Sequence, residues 1–233
     1  MNGYTAEPTS TLNVDGAHYE GKDLPEAWAS YFANLATPCD NGYDSEFADY
    51  ISGEFSNISS QPPADNIEFT PEEVKEAVLS LKLNKAAGQD NLDPEHLVYG
   101  GQSLIAYLTV LYNAIMATCH IPFPFLHGLV IPIPKGFNKD LTLPNSYRGI
   151  TILSNAGKVF EKLLLCRIHE MVPPSSLNPL QEGFRDGYSC LHTAFILQEA
   201  IQTTWEGGKK CYVAYLDGRK AFDTVWHEGL LVN

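Results

Sequence analysis

An α+β fold in which helices dominate is predicted by three features of the chain. Apolar residues recur at helical spacing in five stretches between Leu24 and Ile201. Two β-prone runs, Leu126 to Pro134 and Gly149 to Leu153, flank a Lys135-Gly136-Phe137-Asn138-Lys139-Asp140 tip in the manner of a hairpin. A third run, Tyr212-Val213-Ala214-Tyr215-Leu216, is short, apolar and followed by Asp217, which predicts a strand delivering a carboxylate to the edge of a sheet.

Residues 1 to about 22 are polar and hold no sustained period, which predicts a flexible lead. From Leu24 the residues Trp28, Tyr31, Phe32 and Leu35 share a helical face, with Asp23 in the N-cap position and Thr37-Pro38 as the stop. That aromatic stripe is either a docked core face or a surface for a partner. Cys39 to Asn66 contains Asn41-Gly42, Ser52-Gly53 and Gln61-Pro62-Pro63 and reads as a linker. Thr70-Pro71-Glu72-Glu73 is a helix start, because Thr70 can cap, Pro71 suits the first turn and Glu73 completes a capping box. Val74, Ala77, Val78 and Leu81 follow as its buried stripe. These signals predict an acidic, partly flexible N-terminal region over 1–66, with one helix near 24–36, and a second domain over 67–233.

Lys82 to Pro94 is rich in Asn, Lys, Gly and Asp and is expected to be a loop. Gln102 to Cys119 reads as a helix with Leu104, Leu108, Leu111 and Ile115 on one face, closed by Ile121-Pro122. Pro132 and Pro134 make the run before Lys135 an edge or hairpin strand, and Arg148 stands at the entrance of the returning one. Ser154 to Met171 is amphipathic, with Val159, Phe160, Leu163, Leu164 and Ile168 inward and Lys158, Glu161, Lys162 and Arg167 outward. Pro173-Pro174 ends it. After a Gly-containing loop from Pro179 to Tyr188, Ser189 caps a helix that stops before Gly207-Gly208. His192 has no second ligand at metal spacing and is read as structural.

The formal net charge is -13, which argues against a protein that grips nucleic acid through its net charge. The acidity is local, however. Residues 1–80 hold 15 acids against Lys22 and Lys75, whereas 81–233 carry 13 of each sign. Lys135, Lys139, Arg148, Lys158, Lys162 and Arg167 outnumber the acids between Val130 and Glu170, so a basic patch is possible there. The five cysteines show no C-x-x-C spacing, so neither a zinc knuckle nor a disulfide framework is indicated, which fits a reduced, intracellular compartment. No secretory leader is expected from Met1-Asn2-Gly3-Tyr4-Thr5-Ala6-Glu7, and no run of about 20 apolar residues suggests a membrane span.

Leu216-Asp217-Gly218-Arg219-Lys220-Ala221-Phe222-Asp223-Thr224-Val225-Trp226-His227 resembles motif A (D-x-x-K-A-F-D-x-V) of the reverse transcriptases, or RNA-directed DNA polymerases, of non-LTR retrotransposons of the jockey and LINE type. Three further blocks stand upstream in that family's order. Asn84-Lys85-Ala86-Ala87-Gly88-Gln89-Asp90 resembles the first fingers motif. Val130-Ile131-Pro132-Ile133-Pro134-Lys135, with Asn145-Ser146-Tyr147-Arg148-Gly149-Ile150 and Gly157-Lys158-Val159-Phe160-Glu161-Lys162, resembles the second. Gln181-Glu182-Gly183-Phe184-Arg185 with Gly187 and Ser189 resembles the third.

The resemblance implies a right-hand polymerase, with fingers over about 67–208, the start of the palm over about 209–233, and a sheet cut short after the motif A strand. It implies template-directed deoxynucleotidyl transfer with two divalent cations, Mg2+ or Mn2+, on an RNA template and a DNA primer, with a deoxynucleoside triphosphate as substrate. Asp217 would be the catalytic metal ligand, with the backbone carbonyl of Gly218 beside it. Phe222, five residues further on, would exclude a ribose 2′-hydroxyl, and Asp223 would accept hydrogen bonds in the turn holding Phe222. Arg148 and Lys135 would reach the triphosphate, as a forked donor and a point charge. Lys85 would lie near the template backbone and Arg185 at a phosphate. For Lys85 and Lys135 the residues alone equally allow a solvated turn and a solubilising charge.

Gly218 departs from the larger apolar residue usual in the family. Nothing resembling motif C, an aromatic-x-Asp-Asp hairpin, is present, so the isolated chain is expected not to polymerise and to expose a sheet edge. A non-catalytic module in which the fingers hold RNA or a protein partner is the alternative.

Overall fold

A computed structural model describes residues 9–36, 44–61, 67–136, 139–172, 176, 178–185, 187–218 and 221–232. Their contacts fall into two units, residues 1–163 with 220–233, and residues 164–219.

The first unit begins with an antiparallel hairpin, β1 (Thr11–Val14) and β2 (Ala17–Glu20), paired Leu12 to Tyr19 and Val14 to Ala17. Residues 9–20 are therefore ordered structure, where a flexible lead was expected. The signal lay in Asp15-Gly16, whose φ values of 49° and 84° form the left-handed two-residue turn that matches strand twist. Leu12, Val14 and Ala27 form a small core, with Tyr19, Leu24, Trp28 and Tyr31 against it. Ala27, Trp28 and Tyr31 belong to α1 (Leu24–Leu35), so the aromatic stripe is a docked face. Asp23 lies in a preceding 3-10 turn with helical backbone and makes no side-chain cap, because a capping residue needs an extended backbone of its own.

The stretch read as a linker contains α2 (Ser45–Ser59), with Asp44 Oδ1 accepting from the Glu46 N–H at 3.0 Å. Gly53 did not break it, because Ile51 is buried and tertiary packing outweighs one glycine's propensity. Asn41-Gly42 and Pro62-Pro63 lie outside the described residues. The helix α9 (His227–Val232) packs on α2, with Trp226 just before it against Phe47 and Ser52 Oγ donating to Glu228 at 2.8 Å.

The larger core is helical. α3 (Pro71–Leu79) opens with the expected capping box, Glu73 N–H donating to Thr70 Oγ1 and Thr70 N–H to Glu73 Oε2. It packs on α5 (Gly101–Thr118), with the short α4 (Pro94–Val98) between them in sequence. The buried face of α5 is Ile105, Leu108, Tyr112 and Ile115, so the stripe turns from the expected Leu104 and Leu111 toward Ile105 and Tyr112. The rings of Phe69 and Tyr112 both meet Phe160 of α7 (Asn155–Met171). Val159, Phe160 and Leu163 are buried as expected, whereas Ile168 is 52% exposed.

After a short α6 (Phe123–Leu126) come β3 (Leu129–Pro134) and β4 (Tyr147–Ile152), an isolated antiparallel pair with Ile133 opposite Arg148 and Pro132 opposite Gly149. The Lys135 N–H donates to Ser146 O at 2.8 Å, which sets the ladder's parity. Pro132 and Pro134 thus occupy positions whose missing N–H would face away from β4, and a two-stranded sheet loses nothing there.

In the second unit α8 (Cys190–Glu206) follows the expected course and ends before Gly208, at φ 66°. The strand expected over Tyr212 to Leu216 is absent. Residues 211–218 carry no ladder, and no described residue of 164–219 is buried. β-propensity describes fit to a pleated neighbour, and among the described residues the two sheets are β1–β2 and β3–β4.

Candidate functional site

The sequence-predicted residues divide between the two units. In the first, β4 carries Arg148, whose backbone pairs with Ile133 in the ladder while its exposed guanidinium has no hydrogen bond or ion pair to a described residue. Lys135 is engaged: its Nζ donates to Asn145 O at 2.9 Å and fastens one end of the hairpin. Tyr147, 6% exposed, donates its hydroxyl to Leu141 O at 2.9 Å, and burial raises its phenol above the ordinary range. Asp140, at the far side of the hairpin tip, accepts from the hydroxyl and N–H of Thr142, which hold its carboxylate below its usual range.

Lys85 is exposed on the loop before α4, as expected of either reading of it. The loop around it is far more constrained than its composition suggested. Asn84, in the left-handed region at φ 58°, donates its N–H to Glu95 Oε1 at 2.6 Å, and that bond lowers the Glu95 carboxyl. Ser154, 1% exposed, donates to Asp90 Oδ2 at 2.6 Å while its Oγ accepts the Gly157 N–H at 3.1 Å. Asn155, also 1% exposed, donates to Leu92 O at 2.7 Å and Ala86 O at 3.4 Å, and Lys158 Nζ reaches its Oδ1 at 3.2 Å. A Cβ on Gly88 would stand 2.7 Å from Ser154 N and 2.9 Å from Leu153 C. The Gly and Asp of Asn84 to Asp90 thus seat the loop on the start of α7, directly after β4.

Phe222 and Asp223 lie in the first unit, in a turn over residues 221–224, with Phe222 81% exposed. Asp223 raises the Tyr31 phenol, after burial as the larger cause, so the two residues are electrostatic neighbours. Arg219 and Lys220 lie outside the described residues.

In the second unit, Asp217 and Gly218 are exposed on the unpaired stretch that follows Leu216, itself 97% exposed. Among the described residues, no group of three or more His, Cys, Asp or Glu could hold a metal ion. The donor set therefore does not by itself fit a divalent cation. Arg185 is half-buried, with its guanidinium bonded to Gln181 O at 3.3 Å and lying 4.9 Å from the centre of the Tyr188 ring. His192 Nδ1 accepts the Ser189 N–H at 3.1 Å, a helix-start contact consistent with a structural residue. No helix among the described residues is long and apolar enough to cross a membrane.

The residues that sequence reasoning missed are Ser154, Asn155 and Glu95. A polar Ser-Asn pair between a β-branched strand and an amphipathic helix was the available signal, since such a pair is expected to bond backbone at a helix start.

Comparison with known proteins bears on the same segments. Residues 133–233 match the family described as Reverse transcriptase (RNA-dependent DNA polymerase). The chain is 34% identical over 163 residues to the "Probable RNA-directed DNA polymerase from transposon X-element" of Drosophila melanogaster, covering 70% of this chain and 18% of that protein. It is 34% identical over 175 residues to the "RNA-directed DNA polymerase from mobile element jockey" of Drosophila funebris, covering 72% and 18%. Over 111 residues it is 33% identical to the Pol polyprotein of the type-1 retrotransposable element R2 of Popillia japonica, covering 48% and 15%. The chain thus spans less than a fifth of the length of these relatives.

Proposed function

Given that this chain belongs to the reverse transcriptases of non-LTR retrotransposons, we propose that it supplies the nucleotide-facing fingers and the first acidic motif for RNA-directed DNA synthesis. The observation that carries this reading is the β3–β4 hairpin, which presents Arg148 exposed, its guanidinium unbonded among the described residues, together with the seated loop that presents Lys85. An exposed guanidinium on a strand is a forked donor available to the phosphates of an incoming deoxynucleoside triphosphate. Lys85 meets the backbone of an RNA template or DNA primer, and Arg185 a further phosphate once freed from Gln181. Lys135 acts on the triphosphate through the hairpin it fastens. Phe222 stands against the sugar and excludes a 2′-hydroxyl. Asp217 and the carbonyl of Gly218 are one part of a site for Mg2+ or Mn2+ that these 233 residues do not complete, since they contain no adjacent pair of aspartates. The domain boundary we favour lies near residue 67, with the palm beginning near 209, in a reduced intracellular compartment.

The isolated chain is accordingly expected not to polymerise. Labelled dTTP offered on oligo(dT)-primed poly(rA) with Mg2+ or Mn2+ should give no incorporation. Incorporation that disappears in Asp217→Ala would refute this. A second reading, a non-catalytic module that holds RNA, is favoured by the exposure of Lys85 and Arg148. It requires an RNA affinity that falls with salt on any sequence and falls further in Lys85→Ala and Arg148→Ala.

A further inference from the structure

The β3–β4 hairpin has two faces, and the N-terminal segment covers one of them. The Asn13 N–H donates to Thr142 O at 2.8 Å, and the Asn13 side-chain amide reaches Thr142 Oγ1 at 3.4 Å. From α1, the Tyr31 hydroxyl donates to Asn145 Oδ1 at 2.9 Å. Trp28 sets its ring against Tyr147, centroids 4.8 Å apart and planes at 73°, and stacks on Phe32 at 5.7 Å. Phe32 occupies the space a side chain at Gly149 would need, since a Cβ there would meet Phe32 Cε1 at 2.7 Å and Cζ at 3.1 Å.

Along a strand successive side chains point to opposite faces. Tyr147 and the vacant side of Gly149 therefore address α1, and Arg148 between them is turned to the open face. Asn145 is held at both ends, its side chain by Tyr31 and its carbonyl by Lys135 Nζ. The covering segment has its own anchor in the Leu12, Val14 and Ala27 core, and it lies outside residues 133–233, the stretch matched to the family.

We propose that residues 11–35 are a splint for the β3–β4 hairpin, in which Trp28, Tyr31 and Phe32 are positioning residues that fix the direction of Arg148 toward a nucleoside triphosphate. The splint deepens, and rests on, the assignment of Arg148 to the triphosphate. A two-stranded sheet is marginal by itself, and its twist and the direction of its side chains depend on what covers one face. Three aromatic rings and two hydrogen-bonded side chains supply that cover here. Arg148 then needs little further ordering when a ligand arrives.

The test is dTTP binding to the full chain, measured by calorimetry in EDTA so that protein contacts alone are read. Arg148→Ala should weaken binding by about tenfold, the loss of one forked charged donor. Phe32→Ala should weaken it by about threefold or more, and should add nothing in the Arg148→Ala background, because the two act through one guanidinium. A Phe32→Ala protein that binds as wild type does, or that loses the same factor with and without Arg148, overturns the splint. If wild type does not bind dTTP, or binds it no better than Arg148→Ala does, the triphosphate role of Arg148 falls and its positioning by α1 falls with it.

Gly149→Ala guards against simple unfolding of Phe32→Ala. It should weaken dTTP binding and loosen the amide protection of β4, and Phe32→Ala introduced beside it should restore protection by removing the clash. A silent Gly149→Ala, or a pair no better protected than Gly149→Ala alone, counts against the contact and overturns the proposal.

Discussion

Two β-prone stretches carry most of the expected chemistry, and the structure treats them differently. Residues 129–152 form a ladder from Leu129↔Ile152 to Pro134↔Tyr147, fastened at the tip by Lys135 and Asn145 and covered on one face by Trp28 and Phe32. Residues 211–218 have a comparable share of β-branched and aromatic side chains but no ladder, and Tyr212, Tyr215 and Leu216 are each more than 80% exposed. The difference is one of neighbours, not of composition. A hairpin brings its own partner strand within the same stretch, so its ladder needs no distant edge, and here α1 supplies the cover that a two-stranded sheet requires. A lone strand has to find an edge elsewhere, and without one its side chains gain no burial and its amides stay in water.

Burial as the distinguishing quantity can be attacked from the core outward. Phe160→Ala removes a ring packed on Phe69 and Tyr112 in a residue 5% exposed. It should cost about 3–5 kcal/mol in a denaturant melt. A loss as small as that of a surface substitution would erase the distinction between the two stretches' surroundings.

Gly88→Ala tests the seat of the Lys85 loop. The added methyl would meet the backbone at Ser154 and Leu153, atoms that cannot rotate away. A loss of about 1–3 kcal/mol is expected, with faster hydrogen exchange at Asn91 and Leu92. An unchanged melt and unchanged exchange would show that the loop is not clamped.

Tyr112→Phe removes the hydrogen bond from the Tyr112 hydroxyl to Ala156 O, 2.9 Å long, and should cost about 1 kcal/mol near neutral pH. Its pH dependence has a definite sign. Burial raises the Tyr112 phenol above its ordinary 10.0, so the unfolded chain releases that proton first. The tyrosine's contribution is whole below about pH 10 and is lost as pH rises beyond it, so the gap between wild type and Tyr112→Phe should narrow between about pH 9 and 11. A gap that widens over that range would contradict the burial of the hydroxyl.

Leu216→Ala is the smallest effect. At 97% exposed the side chain touches almost nothing, and its loss should change stability by no more than about 0.5 kcal/mol. A loss of about 2 kcal/mol or more would mean that the stretch is packed in solution, which would bring the two regions together again.

Much of the molecule was legible beforehand because helices and hairpins are local. The capping box at Thr70, the apolar face of Ser154 to Met171, and the prolines beside Lys135 each state a requirement met within a few residues of sequence. The β1–β2 hairpin is equally local, since Asp15-Gly16 is a two-residue turn signal, and the polar residues around it hide the alternation of its strands. In α2, Gly53 and Ser52 argue for a break, and only the burial of Ile51 and the packing on α9 outweigh them. At the candidate site, the residue types around Arg148 and Lys85 were visible in the sequence. Their partners were not, since Ser154 reaches Asp90 across 64 positions and Tyr31 reaches Asn145 across 114.

The sequence by itself determined α1, α3, α5, α7 and α8, the β3–β4 hairpin, the local concentration of negative charge in residues 1–80 and membership of the reverse transcriptase family. Each of those follows from spacing, composition or residue order. Only the tertiary structure decided that α1 docks on the hairpin, that Gly149 is small because Phe32 is there, that Lys135 is a fastener, and that Tyr212 to Leu216 lacks a ladder. The physical reason is common to all four. A side chain's role is set by which distant surface excludes water from it, and sequence order constrains such non-local contacts only weakly.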